Sequence, residues 1–438
     1  VKKQYEKIKE LKIIHESFSK IDYLGVNLWN IMAPSIYHWY ENKYIRKNYF
    51  PEPNFKRMFG FLLTKESFKI SNRKPGKILT SFFIPSENKH SKLHLQFVKS
   101  FSSREMMKIY NKDKKISTGN IFDILYLLKR VNKKKLIDIF GSKKEFIYFI
   151  LFAYYNLKQI KTLSRIVENI DPNGYLAFNC SGNRDESILT QLIANKNKVT
   201  FNLQHGTFSV LNDFSTAYLI YENMISDYQF SWGKSSTEII KKYVSIKDFK
   251  KSILYSGNPN YYDMKEKGKN YLKKGVFFLS GEIFKDENQK VLDILESFLK
   301  NNRSVKISLK SHPGDSLDNY SFNKKLFISI RENLEVENIL NESDFMIGYN
   351  TTVLFESLRY GIPVLQFKGK ISDLGAYANF ESFINLKTFN LKFRKLKNIK
   401  LLNSVIKNQK IIYKNVFFQP KVGDVSNNLK KIIFGKII

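Results

Sequence analysis

Cysteine is nearly absent: Cys180 is the single one in 438 residues. One thiol excludes an internal disulfide framework and any multi-cysteine metal site. It fits a reducing cytoplasm, and Cys180 itself is expected to be a small buried apolar residue. Proline (10) is scarce, and no Pro-rich or Gly/Ser-rich linker, internal repeat or low-complexity tract breaks the chain. Long apolar runs are missing too. The most apolar stretch, Phe146 to Leu157 (FIYFILFAYYNL), falls short of the ~20 residues that cross a bilayer and is expected as a buried helix. The first residues are charged and helical in pattern, without the apolar core of a signal peptide. Neither G-x-G-x-x-G nor G-x-x-x-x-G-K-[ST] occurs, so dinucleotide oxidoreductase and ATPase readings lose support. H-E-x-x-H, Cys/His clusters, G-x-S-x-G and paired D-x-D acids are also lacking, so no metal is expected in the site and zinc or serine-hydrolase chemistry falls away.

Acidic residues are in deficit, 40 against 73 Lys and Arg, which leaves a formal charge of +33. Such an excess points to a polyanionic partner: nucleic acid, an acidic membrane surface or an anionic substrate. Between Glu381 and Asp424 there are ten Lys or Arg and no acid, interleaved with Leu, Phe and Ile (NLKFRKLKNIKLL). A basic amphipathic helix there could lie on anionic lipid, which would place the protein in the cytoplasm, peripherally at the inner face of a bacterial plasma membrane. A nucleic-acid-binding protein is the non-enzymatic alternative, and it requires basic residues grouped with aromatics on one face. The motifs lie at strand ends instead, so no nucleic-acid partner is expected.

What is present in quantity is core material: 43% hydrophobic residues, with 37 Phe and 25 Tyr. That supply and the length argue for two packed domains. From Tyr175 onwards strands alternate with helices: YLAFNC, then ESILTQLIANK, then VTFNL, and, after a polar stretch, VFFLS, NQKVLDILESFLKNN, VKISLKSHP, DFMIGYN, TVLFESLRYG and PVLQF. This rhythm predicts an α/β fold with parallel sheets covered on both faces. The expected division is an N-terminal Rossmann-like domain over 1–263, with helical N-terminal additions, and an interdomain linker over 264–274. A C-terminal Rossmann-like domain follows over 275–400, then a basic helical segment over 401–438, for which a return to the N-terminal domain is one placement.

Each predicted strand ends on small or polar residues, and in open α/β sheets ligands bind outside the carboxyl ends of strands. In LKSHPG, Lys310, His312 and Pro313 end an apolar strand; a protonated histidine can pair with phosphate, and proline stops the strand. In SDFMIGYNTTVLFES, Asn350, Thr351 and Thr352 stand at a turn into a helix whose first amides suit an anion, with Glu356 one turn in. The alternative is an ordinary cap with a first-turn acid. Ser280 and Gly281 (LSGE), like Gly257 and Asn258 (SGNP), are small or polar residues at strand ends, as close backbone approach to a nucleotide requires. In NLQHGTF, His205 sits beyond a strand, flanked by Gln204, Gly206 and Thr207. It is a candidate general base, or a donor of charge to a leaving phosphate. Asp185 and Glu186 in the SGNRDE loop are second candidate bases, or simply the first acids of a helix, and Arg184 beside them either binds an acidic substrate or pairs with them.

The C-terminal half resembles the nucleotide-binding domain of GT-B glycosyltransferases. More narrowly, QHGT with KSHP and SDFMIGYNTT…ES…GIPVL resembles CDP-glycerol glycerophosphotransferases and related capsular-polysaccharide enzymes of Kdo- and sialyl-transferring type. The resemblance covers about 180–370, and IDYLGVNLW (21–29) is similar to the opening of surface-polysaccharide transferases. It implies two doubly wound domains facing across a cleft, with no cofactor beyond a nucleotide-activated sugar as substrate. The donor phosphates would be held by His312, Pro313, Thr351 and Thr352, and the acceptor would be a growing or lipid-linked glycan. Gln204 stands where teichoic-acid enzymes have tryptophan, and no acidic pair followed by glycine marks a sialyl transferase. The enzyme alternatives are CDP-polyol phosphate transfer and UDP-sugar epimerisation.

Overall fold

The computed structural model describes the chain except residues 1–3, 46–54, 72–76, 84–88, 118–119, 207, 209, 212–217, 244–252, 261–263, 265–271, 282–283, 314, 332–333, 370–371, 374–379, 419, 421–423 and 438. Two sheets organise it. The first contains β1 (Thr64–Ile70), β2 (Ile78–Phe82), β3 (Met106–Ile116), β4 (Gly174–Ala177), β5 (Val199–Asn202), β6 (Tyr228–Ser231) and β7 (Ile253–Tyr255). Their spatial order is β7-β6-β5-β4-β2-β3-β1, parallel throughout except for β1, which runs antiparallel to β3 at the edge.

The second sheet contains β8 (Lys274–Phe278), β9 (Lys306–Lys310), β10 (Phe327–Ser329), β11 (Phe345–Gly348), β12 (Val364–Phe367) and β13 (Glu381–Phe383). All are parallel, in the order β10-β9-β8-β11-β12-β13. In both sheets the chain winds outward in one direction, then returns to wind in the other. The reversal lies between β2 and β4 in the first sheet and between β8 and β11 in the second, and such switch points open a crevice at the strands' carboxyl ends. Strands β4, β11 and β12 are buried along their whole length, which is why they read as apolar runs rather than alternating patterns.

Local chemistry fixes the helices. In α1 (Leu28–Tyr40), the Asn27 side chain accepts from the Trp29 amide. In α2 (Lys143–Ile170), which contains the apolar run and buries most of it, Ser142 accepts from the Glu145 amide. Asn183 caps α3 (Arg184–Ala194) by accepting from the amides of both Asp185 and Glu186. The remaining helices used below are α4 (Lys285–Lys300), α5 (Leu386–Lys397), α6 (Ile399–Val416) and α7 (Val425–Ile437).

Several expectations change. The basic stretch forms α5 and α6, but Phe389, Phe393 and Leu396 of α5 are buried against Phe298, Phe345 and Phe383. Part of the stretch's apolar side is therefore packed inside the protein, while Leu391, Ile399, Leu401 and Ile411 remain exposed. The boundary drawn at 400 falls within α6, and β8 begins at Lys274, inside the expected linker, most of which lies outside the described residues. After α6 the chain runs along the first sheet: the Phe418 amide donates to the Trp232 carbonyl at 2.6 Å, Ser426 Oγ donates to the Phe97 carbonyl at 2.8 Å, and Lys430 pairs with Glu105 at 2.7 Å. This return explains two glycines. A Cβ on Gly233 would lie 2.6 Å from the Val416 carbonyl oxygen, and one on Gly257, which has φ +77°, would collide with the carbonyl oxygen of Phe418. The close approach at Gly257 is thus to the chain's own C-terminal segment and not to a nucleotide. No described helix is long and apolar enough to cross a membrane.

Candidate active site

At the second switch point, Phe278 is in register with both Lys310 of β9 and Gly348 of β11. Ser280, His312 and Asn350 therefore each lie two residues past one common line, side by side at the carboxyl ends of three central strands. Asn350 adopts the left-handed conformation, with φ 47°, a strain that asparagine tolerates better than most residues. Ser280 Oγ and Asn350 Oδ1 are buried, and neither has a hydrogen-bond partner among the described residues. Buried polar atoms are nearly always paired, so two unpaired oxygens at a switch point are the pattern that a ligand's polar groups would complete.

The backbone beneath them is held firmly. Asn288 of α4 accepts from the Ser280 amide at 3.1 Å and donates to the Ser280 carbonyl at 2.8 Å and to the Tyr320 hydroxyl at 2.9 Å. The Tyr320 hydroxyl in turn donates to Asp315. Sequence reasoning missed this support; the available signal was an asparagine inside a predicted helix, where its propensity is poor.

His312 is exposed at the strand ends, and partial desolvation of its ring lowers its pKa from the ordinary value, outweighing the opposing pull of Asp315. Its ring is neutral at pH 7 and offers one N–H donor. A Cβ placed on Gly281 would lie 3.6 Å from His312 Nδ1, an ordinary contact, so the two residues are neighbours. Lys310 is buried and turns away to donate to the Arg331 carbonyl at 2.9 Å. Pro313 is exposed. The predicted helix over 352–361 is shorter in fact: four residues, Val353–Glu356, followed by a tight turn of 3-10 helix over Ser357–Tyr360. Ser357 Oγ donates to the Leu354 carbonyl at 2.8 Å and competes with the helical ladder, and Gly361 ends the turn at φ 61°. Thr352 Oγ1 donates to Glu356 at 3.4 Å and Thr351 Oγ1 accepts from the Val353 amide at 3.4 Å, both long and weak.

At the first sheet, His205 lies three residues beyond β5, half-buried, its ring 5.8 Å from that of Phe178. Gln204 is buried and pins this loop, donating to the Gly206 carbonyl at 2.8 Å and accepting from the Trp232 amide at 2.6 Å. Gly206 has open space where a Cβ would point. Thr207 lies outside the described residues. Asn258 is buried and accepts from the Asn260 amide at 3.0 Å.

The two acids beside Arg184 are both engaged. Asp185 is buried and receives a two-pronged bond from Arg184, at 2.7 and 2.9 Å. Arg184 also pairs with Glu66 at 2.8 Å. Glu186 is buried below the switch point, accepting from the amides of Phe178 (3.0 Å) and Asn179 and from Ser81 Oγ (2.9 Å). Burial pushes its carboxyl up to about 7. Between its unfolded value near 4.5 and that folded value, the native protein holds a proton that the unfolded chain releases. Stability should therefore fall as pH rises through this window. Denaturant titrations at about pH 5 and about pH 7.5 should show that slope in the wild type and a flatter one in Glu186→Gln.

The two sets of loops meet. Strand Val210–Leu211, in the loop after β5, pairs antiparallel with Ser372–Asp373, in the loop after β12. The segment carrying His205 is thereby tied to the carboxyl-end side of the second sheet. Among the described residues no group of three or more His, Cys, Asp or Glu could hold a metal ion.

No family model and no curated protein matches the chain. Solved structures do align with it. The S. aureus MnaA–UDP co-structure matches at 13% identity and TM-score 0.48, over 83% of this chain and 98% of the other. UDP-GlcNAc 2-epimerase from Neisseria meningitidis bound to UDP-GlcNAc matches at 13% and 0.43, over 82% and 99%. The glycotransferase of kitacinnamycin matches at 8% and 0.46, over 82% and 99%. At these values the fold rests on the two sheets themselves, and the chemistry on the site.

Proposed function

We propose that the chain is a nucleotide-sugar glycosyltransferase of GT-B architecture, acting on a growing or lipid-linked surface-polysaccharide acceptor. The observation that carries this is the pair of buried, unpartnered oxygens, Ser280 Oγ and Asn350 Oδ1, on one register line with His312. A CMP-, CDP- or UDP-linked donor would satisfy them: Asn350 Oδ1 accepts from a hydroxyl or base N–H, and the Ser280 hydroxyl donates to a phosphate oxygen.

In the transfer step, His205 takes the proton of an acceptor hydroxyl and the freed oxygen attacks the anomeric carbon. A new C–O bond forms as the bond from that carbon to the donor phosphate breaks, and the electron pair leaves on the phosphate oxygen. The neutral His312 ring donates a hydrogen bond where that charge develops. Asp185 is an unsuitable base because Arg184 occupies its carboxylate, and Glu186 because its oxygens are used within the fold.

Incubation of the protein with CMP-, CDP- and UDP-sugars, with and without a glycan acceptor, tests the reading. Acceptor-dependent release of one nucleotide, with the sugar recovered on the glycan, is the expected result. A UDP-sugar returned as its epimer without any acceptor would replace transfer by epimerisation. Glycerol or ribitol phosphate recovered on the acceptor from a CDP-polyol would replace it by phosphotransfer.

A further inference from the structure

We infer that a cavity at the first sheet is an anion-and-ring subsite that takes a sugar bearing a phosphate or carboxylate group. It deepens the transferase reading, on which its assignment to the acceptor rests. The cavity has a volume of about 430 Å³, within the range of small-molecule sites. Its place follows from strand register. Tyr110 of β3 lies level with Phe82 at the carboxyl end of β2, while Lys114, four residues further, pairs with Glu66 of β1. Strand β3, with β1 paired along it, thus projects beyond β2, and Glu66 and Lys114 form a wall above the carboxyl ends, beside the switch point between β2 and β4. Arg184, the first residue of the helix that follows β4, closes the floor.

Charge is concentrated here. Lys56, Arg57, Lys114 and Arg184 line the cavity together with one carboxylate, Glu66. Arg184 is balanced by Glu66 and Asp185, and Arg57 lies 5.8 Å over the Tyr148 ring, so Lys56 and Lys114 set the field at the mouth. Neither Lys56 nor Lys114 has an ion-pair partner among the described residues, and both are exposed. A cavity with low-dielectric walls concentrates such a field on an entering anion.

Aromatic rings complete the lining. Phe61, Phe152 and Tyr155 contribute them, with the Phe61 ring 5.4 Å from Phe152 and 5.5 Å from Tyr155, and Arg184 stacks over Tyr155 at 5.0 Å. The lining is anchored from behind: Lys158 donates to the Leu62 and Thr64 carbonyls at 2.8 and 2.7 Å, and Tyr155 donates to Glu66 at 3.1 Å. Apolar rings beside cations suit a pyranose whose carbon face lies on the aromatics while its anionic substituent meets Arg57 and Lys114. Two sources share this chemistry: the phosphorylated end of a lipid-linked sugar and an acidic sugar of the glycan itself.

Calorimetric titration of the full chain with glucose 1-phosphate, glucuronate and inorganic phosphate distinguishes them. Saturable binding of a sugar anion, weakened about tenfold to a hundredfold in Arg57→Gln/Lys114→Gln, is expected. The substituted side chains are exposed, and thermal melting of the variant checks that the fold persists. Tighter binding of glucose 1-phosphate assigns the site to a phosphorylated end, and tighter binding of glucuronate to an acidic sugar; either supports the inference. Unchanged affinity in the variant, no saturable binding of either sugar, or equal binding of inorganic phosphate would overturn it. Nucleotide affinity measured on the same samples reports the donor site separately, so failure here leaves that reading intact.

Discussion

Replacing His205 with asparagine should lower turnover by about 10²–10⁴-fold while leaving nucleotide affinity in place. The expectation rests on elimination among named groups. Asp185 is locked to Arg184, and Glu186 has its oxygens bound to two amides and a serine. His94, another histidine close to these strands, is fully buried, stacked at 4.4 Å on Phe82 and 4.8 Å on Phe178, and burial holds its pKa down to about 3. It is core, not catalyst. His205 is half-buried at a strand's carboxyl end, in a loop that Gln204 fixes from both sides. Asparagine keeps a polar side chain but cannot accept the proton. Steady-state nucleotide release paired with calorimetry separates the two effects; unchanged turnover would make His205 a structural cap.

The largest stability effect is expected at Gly257, far from any proposed chemistry. Gly257→Val forces a branched side chain into φ +77° and against the Phe418 carbonyl. The left-handed backbone costs roughly 1–2 kcal/mol and overpacking roughly 1–3 kcal/mol more. A loss of about 2–5 kcal/mol is a large part of a typical net stability of about 5–15 kcal/mol. Denaturant unfolding measures it, with Gly435→Ala in α7 as control: a Cβ there meets nothing within 4 Å, and alanine should be neutral to stabilising. Equal stability of the two variants would show that the C-terminal segment does not seat against the first sheet as described.

Much of this architecture was legible in the chain. The buried strands of the second sheet are continuous apolar runs ending on Ser280, His312 and Asn350, and local periodicity suffices to find them. The first sheet was harder. Strand β3 is buried only over its first half; its second half, NKDKKI, is exposed and reads as polar loop because no hydrophobic face marks it. The antiparallel edge strand β1 has the same difficulty, being half-buried along most of its length. The roles of Lys114, Glu66, Arg57 and Tyr155 in one cavity depend on register between segments far apart in sequence, which no local pattern encodes.

At the candidate site the types and places of residues were readable and their partners were not. The sequence offered Lys310 as a donor-binding candidate at the end of its strand, and its ammonium bonds to the Arg331 carbonyl. It offered Gly257 as a nucleotide contact, whereas the C-terminal segment takes that space. Both outcomes depend on tertiary neighbours. The amphipathic pattern of α5 was equally faithful to its helix and silent about what would cover it, and Phe298 and Phe345 do so.

The central claim is that Ser280, His312 and Asn350 form a nucleotide site, and calorimetric titration with CMP, CDP, UDP, GDP and dTDP tests it most directly. The account predicts saturable binding of one cytidine or uridine nucleotide, weakened about tenfold to a hundredfold by His312→Ala, with no change when Lys310 is replaced by methionine. Binding of no nucleotide, or binding indifferent to His312, would contradict it.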